Sequence, residues 1–359
     1  MLWFRGHDRL AISAAMVVFM QLSSRLPIRM MFFKHWHLDD TEIGVVIVKA
    51  RFVRRDGGID LRAAEPPELE LQDRFEGDPA CTPLWAEQDL APGKNGTDLT
   101  IRAMARAPGG RAMTDWPVTV DVPGRLHYGF QVRGPSLWRR TRLGWERTLP
   151  EPVRDVPLSY ALAYGGSAPG ASGMIESHQA NPAGIGLVTP ERLDAGQDIP
   201  IPQIGALAEF MVTDPLAPMT VHGVGPLAKA WLPRRAHAGT FDADWQATRH
   251  PRMPRDYSLR FWNAAPGPMQ LTPALRGDEE IVVTGVAPAP VRLRLPGVWC
   301  AIEAQGEMSA RLDMTLDTIA LDLQNEDPAS QSATLIWRAQ VPAPHRFSKG
   351  EVIAGRVEA

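Results

Sequence analysis

The chain has 359 residues, 44% hydrophobic and 22% charged, with a formal net charge of -3: the composition of a folded globular protein, without the basic excess that binding a phosphate backbone demands. That length allows two domains or one large β-rich domain with insertions. The 33 prolines and 31 glycines interrupt helices and the 11 tryptophans suit the space between packed sheets, so strands joined by long irregular connections are expected.

The first thirty residues, "MLWFRGHDRLAISAAMVVFMQLSSRLPIRM", have an arginine-bearing start and an apolar run from Leu10 to Leu22, the outline of a secretory signal. Gln21 interrupts the run, no A-x-A cleavage site follows, and the span is too short and polar to cross a bilayer. Residues 1–29 are therefore read as an over-extended or disordered start without a role, translation beginning at Met30 or Met31. From Glu42, "EIGVVIVKARFVRR" is rich in β-branched residues, ends at Asp56-Gly57-Gly58 and returns through "IDLRAA", a hairpin pattern. After a long polar connection at 64–98, "TDLTIRAMARA", "MTDWPVTVDV", "RLHYGFQVRG" and "WERTLP" recur between Pro/Gly turns. Strands at that spacing predict a sandwich or barrel.

Residues 151–275 alternate little and are rich in proline, glycine and aromatics; they are expected to lie over the sheets as ordered irregular backbone, with one short helix in 203–211. Strands return in "EEIVVTGV", "VRLRLPG", "WCAIEAQG" and in "RLDMTLDTIALDLQNEDPASQSATLIWRAQ", a hairpin turning near Asp327-Pro328. The expectation is a mainly β fold of antiparallel sandwich- or barrel-like sheets with few short helices. Its parts are a β half at 30–150, a loop-rich middle at 151–275, a β half at 276–345 and a tail at 346–359.

Candidate chemistry is sparse. In "YALAYGGSAPGASGMIESHQANPAGIGL", the Gly165-Gly166 and Gly184-x-Gly186 steps lack both the GxxxxGK[ST] phosphate loop and the GxGxxG dinucleotide fingerprint. Gly93-Lys94 lacks the upstream glycine and the following hydroxyl. Glu176 and His178 stand two apart with no further ligand or nucleophile at diagnostic spacing, and "HWHLDD" (His35, His37, Asp39, Asp40) offers no third convergent ligand. Cys81 and Cys300 have no zinc spacing and are read as reduced thiols of a cytoplasmic protein. No G-x-S-x-G elbow occurs. No catalytic residue, cofactor or metal site is assigned.

Four blocks in order, "GVVIVKARF" with "EQDLAPGKNGTDL", "DVPLSYALAYGG" with "NPAGIG", "RRAHAGTFDADWQATRHPRMPRDYSLRFWNAAPGPMQ", and "LRGDEEIVVTGVAPA", resemble the type VI secretion accessory family catalogued as domain of unknown function 2169, from about Glu42 to about Ala343. The resemblance singles out Tyr160, Tyr164, Gly165, Gly166, Asn181, Pro182 and Gly184 in the second block. In the third it singles out Arg235, Gly239, Thr240, Trp245, Pro254, Asp256, Tyr257, Trp262, Asn263, Pro266 and Gln270. It implies a cytoplasmic, non-enzymatic adaptor or chaperone that holds an effector with a PAAR-like tip and helps load it onto the spike trimer. It implies neither nucleic acid binding nor stable membrane insertion. Pro202-Gln203-Ile204-Gly205, Asp256-Tyr257-Ser258 and Met269-Gln270 depart from the family pattern, which bears on the cargo more than on the fold.

Such a holder needs an apolar face, and Trp231, Trp245, Tyr257 and Trp262 are of the residue types that dominate interface hot spots. For any one of them taken singly, a place in the core is the preferred reading. Two alternatives stand beside this reading: a hydrolase of carbohydrate or peptide using Asp242 and Asp244 of "GTFDADW", and a secreted envelope β-sandwich.

Overall fold

A computed structural model describes residues 20–55 and 58–357. Residues 1–19 of the N-terminal segment, Asp56-Gly57 of the expected turn and residues 358–359 of the expected tail lie outside the described residues. The fold is mainly β, with three short α-helices, Pro190–Asp194, Leu232–Arg235 and Ala243–Thr248, among the described residues.

The largest sheet runs, edge to edge, Asp155–Pro157, Thr97–Arg106, Thr315–Leu323, Ser332–Pro342, Glu42–Arg54, Arg29–Trp36; Gln270–Leu271 and Leu61–Ala64 pair alongside. Its central strands are buried on both faces, which is why "EIGVVIVKARF" reads as a nearly continuous apolar run before it alternates. One face sends Val46, Val48, Leu99, Ile101, Ile319, Leu321, Leu335 and Trp337 into the main core. The other begins apolar, with Ile43, Val45, Ile47 and Ile336. It turns polar at Lys49, Arg51, Asp98, Thr100, Arg102 and Thr334, beneath the 65–94 connection.

A five-stranded sheet, in the order Ile204–Gly205, Leu126–Arg133, Asp115–Val122, Glu280–Thr284, Val291–Arg294, adds Trp116, Val118, Val120, Phe130, Ile281 and Leu293 to the same core. A four-stranded sheet of Gln21–Ser24, Phe347–Arg356, Val298–Gly306 and Ser309–Asp313 adds Ile302 and Val352. Burial of each large aliphatic or aromatic side chain there contributes roughly 1.5–3 kcal/mol, so one continuous core holds all three sheets together.

Strands form at the alternating segments, and strands of the N-terminal and C-terminal stretches share one sheet. Thr97–Arg106 pairs in parallel with Thr315–Leu323, Ile101 opposite Leu321, which interleaves the two β halves in one sheet. Gln21–Ser24 and Arg29–Trp36, at the edge of or within the segment read as disordered, are strands, as is Phe347–Arg356 in the expected tail. Gln21–Ser24 is held by parallel pairing with that strand, Gln21 opposite Lys349, a long-range contact that no local pattern announces. Among the described residues no sheet closes into a barrel. In 203–211 the chain forms the strand Ile204–Gly205 and the 3-10 turn Glu209–Met211. No helix among the described residues is long and apolar enough to cross a membrane.

Candidate functional site

The second motif block is a self-clasped loop. Tyr160 is buried, its hydroxyl donating to the Gly225 carbonyl at 3.3 Å and its ring edge-on to Trp231 at 5.4 Å. Asn181 is fully buried and its side-chain amide donates to the carbonyls of Tyr160 (2.9 Å) and Tyr164 (3.0 Å). Its own carbonyl accepts from Gly166 N, so one asparagine closes both ends of the loop. Short Tyr164–Gly165 and Ile185–Gly186 strands pair in parallel across the clasp. Gly166, at φ 85°, leaves no room for a side chain: a Cβ would stand 2.2 Å from the Gly184 carbonyl oxygen. Half-buried Pro182 follows the clasp, and Tyr164 packs edge-on against His178 at 5.0 Å. The block is architecture, and it joins the third block where Gln179 accepts from Leu232 N and from Arg235 Nη2.

The third block repeats the pattern. Asp256 accepts from Thr240 N (3.0 Å) and Thr240 Oγ1 (2.7 Å), bonds that hold its carboxyl below the usual range, around Gly239 at φ 79°. Trp245 donates to the Arg252 carbonyl and stacks edge-on with Phe241 and His250. Trp262 lies under Lys229, whose ammonium sits 5.0 Å from the ring centre. Pro254 and Pro266 are buried, and Gln270 donates to the Ala265 carbonyl. Trp231 and Tyr257 are only 2% and 6% exposed, with burial pushing the Tyr257 phenol up. These two are core side chains, the reading preferred for each singly, and not part of an aromatic docking face: their area is removed from water.

The first and third blocks meet in a buried ion network that the sequence reading did not single out. Asn263, fully buried, donates to Asp98 Oδ1 at 2.9 Å and accepts from Asn95 N. Asp98 also accepts from Lys94 (2.9 Å) and Ala264 N (2.7 Å). Glu87 accepts from Lys94 (2.7 Å) and from Arg234 (2.6 Å), whose other nitrogens reach the carbonyls of Leu227 and Phe261. Burial alone pushes the Glu87 carboxyl up; the charges of Lys94 and Arg234 overcome that and hold it at about 2. Of the adjacent pair, Arg234 is the buried arginine of the single-turn helix Leu232–Arg235, and the motif residue Arg235 is exposed beside it. Lys94, a poor fit to a phosphate loop, is a structural cation.

The remaining candidates stand apart. Asp242 caps the helix Ala243–Thr248 by accepting from Trp245 N at 2.9 Å, and Asp244 is exposed in its first turn. Glu176 is exposed while His178 is half-buried. Asp40 pairs with Arg249 and Arg252, and His37 with Asp39, so "HWHLDD" is tied into ion pairs. No group of three His, Cys, Asp or Glu side chains among the described residues is placed to hold a metal ion.

The aliphatic surface is more distinctive. Leu143, Leu149, Met174, Ile175, Leu207 and Met211 are 94%, 89%, 67%, 69%, 56% and 70% exposed, and all fall between 143 and 211. The same stretch contains a small core separate from the main one, Trp138, Ile199 and Ile201, flanked by Trp145, Val188 and Leu193. Arg147 binds the Glu209 and Phe210 carbonyls, setting the segment bearing Leu149 beside the turn bearing Met211.

Residues 39–338 match the family described as "Uncharacterized protein conserved in bacteria (DUF2169)". The chain belongs to this family. The match spans every motif block described above. No curated protein and no solved structure matched the chain.

Proposed function

We propose that the chain is a protein-binding adaptor of the type VI secretion apparatus, holding an effector with a PAAR-like tip and assisting its loading onto the spike trimer. Two supports of different kind underlie the reading. The motif resemblance supplies the biological setting. The observation that carries the binding role is the set of exposed Leu, Ile and Met side chains between 143 and 211, because large apolar side chains held in water cost solubility unless something covers them.

In this reading the motif residues are the frame. The Asn181 clasp, the Thr240–Asp256 turn and the Asn263–Asp98 contact fix the loops, and Leu143, Leu149, Leu207 and Met211 make the contact. Interface energy concentrates in a few desolvated side chains within a polar rim; in this reading exposed pairs of the same stretch, such as Arg139 with Asp198 bonded at 2.9 Å, belong to that rim.

The test is co-expression with a PAAR-like effector from the same genome, followed by pull-down. The expected result is a complex with the unaltered chain and its loss with Leu149→Asp or Met211→Asp. Unchanged effector solubility and secretion in a strain lacking the gene would refute the proposal.

A further inference from the structure

The polar end of the main sheet's second face encloses a cavity of about 250 Å³. In-register neighbours make its floor: Arg51 opposite Thr334, Thr334 opposite Ala320, and Ala320 opposite Thr100. Cross-strand partners in one row share a face. The adjacent row is Lys49, Ile336, Thr318 and Asp98. The connection carrying Glu70, Trp85 and Asp89 forms the opposite wall, where Trp85 stacks 4.5 Å from the Arg102 guanidinium.

The charges around this space do not cancel locally. Every carboxylate lining it is engaged: Glu70 by Arg74 at 2.7 Å, Glu87 and Asp98 by Lys94 at 2.7 and 2.9 Å, Asp89 by Lys49 at 2.8 Å and Asp322 by Arg102 at 2.9 Å. Among the described residues Arg51, half-buried on the cavity floor, has no carboxylate, carbonyl or ring partner. The charge of Arg338, also on the lining, is met by Asp317. Arg338 is 4% exposed and gives its terminal nitrogens to Asp317 and to the Asp89 carbonyl, while its Nε has no partner. A guanidinium without a counter-charge in a restricted space is costly, and it is the donor whose planar fork suits oxyanions.

We propose that this cavity is a binding site for a small oxyanion, a phosphate or a carboxylate on a molecule of few heavy atoms. Arg51 is its charge partner, and the hydroxyls of Thr334 and Thr100 are supplementary donors. The volume falls below that of pockets for drug-sized ligands, which limits the occupant to a compact anion. The inference is independent of the adaptor reading.

Isothermal titration of the full chain, dialysed into chloride buffer, with inorganic phosphate in one arm and malonate in the other tests it. Binding is expected in at least one arm, and the arm identifies the anion class. Arg51→Met is expected to weaken it at least about tenfold, as loss of a charge-assisted bond does, with Arg51→Lys retaining part of the affinity. The bound anion also raises the melting temperature of the unaltered chain by mass action and leaves that of Arg51→Met unmoved. Should Arg51→Met not fold, Thr334→Val carries the comparison and is expected to weaken binding severalfold. No heat and no melting shift in either arm up to about 10 mM anion, or equal affinity in Arg51→Met, overturns the proposal.

Discussion

Replacing Glu87 by glutamine tests whether the buried ion network ties the motif blocks together. The carboxylate accepts from Lys94 at 2.7 Å and from Arg234 at 2.6 Å. In the variant the amide oxygen can accept from only one of the two cations and carries no charge; Lys94 keeps Asp98, whereas Arg234, 1% exposed, is left with the Leu227 and Phe261 carbonyls and no carboxylate. Removing one partner of a buried pair costs about 3–5 kcal/mol, because the charge left behind remains desolvated. Unfolding entropy is roughly 2.1 cal/mol/K per residue, so over 359 residues the melting temperature should fall by about 4–7 °C. The assay is calorimetry at pH 7, with Glu176→Gln, an exposed carboxylate, as a control expected to move stability by less than about 0.5 kcal/mol. Melting of Glu87→Gln within about 1 °C of the unaltered chain would refute the argument, since it lies well under the shift derived from entropy scaling.

Four further outcomes follow from the same geometry. The Glu87 carboxyl titrates at about 2 when folded, against roughly 4.3 in an unfolded chain; its contribution, about 3 kcal/mol, is therefore complete above the unfolded value and lost as pH falls toward 2. Thermal melts between those values should show a steeper loss in the unaltered chain than in Glu87→Gln, and identical slopes would contradict the assignment. Asn181→Asp replaces a donor to two carbonyls by an acceptor and should cost about 2–4 kcal/mol in urea unfolding; a cost under about 0.5 kcal/mol would mean that the clasp is not needed. Gly166→Ala places a Cβ 2.2 Å from the Gly184 oxygen at positive φ and should destabilise by more than about 1 kcal/mol, against a neutral Gly267→Ala, where a Cβ meets nothing within 4 Å. Cys81 is exposed, whereas burial pushes the Cys300 thiol up to about 12, so a thiol reagent at pH 8 should titrate one cysteine in the native chain and two in denaturant. Two fast native thiols would contradict the buried position of Cys300.

Local alternation carried most of the strands. Thr97–Arg106 and Ser332–Pro342 read directly because Leu99, Ile101, Leu335 and Trp337 recur with period two on one buried face. Pairings across long separations were not readable: the parallel register of Ile101 with Leu321 and the edge strand Gln21–Ser24 on Phe347–Arg356 depend on partners more than 200 residues away. The site divided in the same way. Motif residues such as Asn181 and Asn263 were marked by sequence, but their roles come from carbonyls and carboxylates in other segments. Aromatic composition drew attention to Trp231 and Tyr257, which the core absorbed, while the exposed positions went to aliphatic Leu143, Leu149 and Met211. Hydrophobicity alone does not separate a side chain that is covered by its own chain from one that waits for a partner.

The adaptor account is tested most directly by the affinity of the purified chain for a PAAR-like effector, compared with that of the Leu149→Asp/Met211→Asp double variant. Both positions are exposed, so the variant should fold with unaltered stability. The account predicts a stoichiometric complex for the unaltered chain and a loss of about 100-fold or more in affinity for the variant, as expected when two apolar contacts at the centre of an interface are replaced by charge. Equal affinity of the two proteins, or no complex with the unaltered chain, would contradict it.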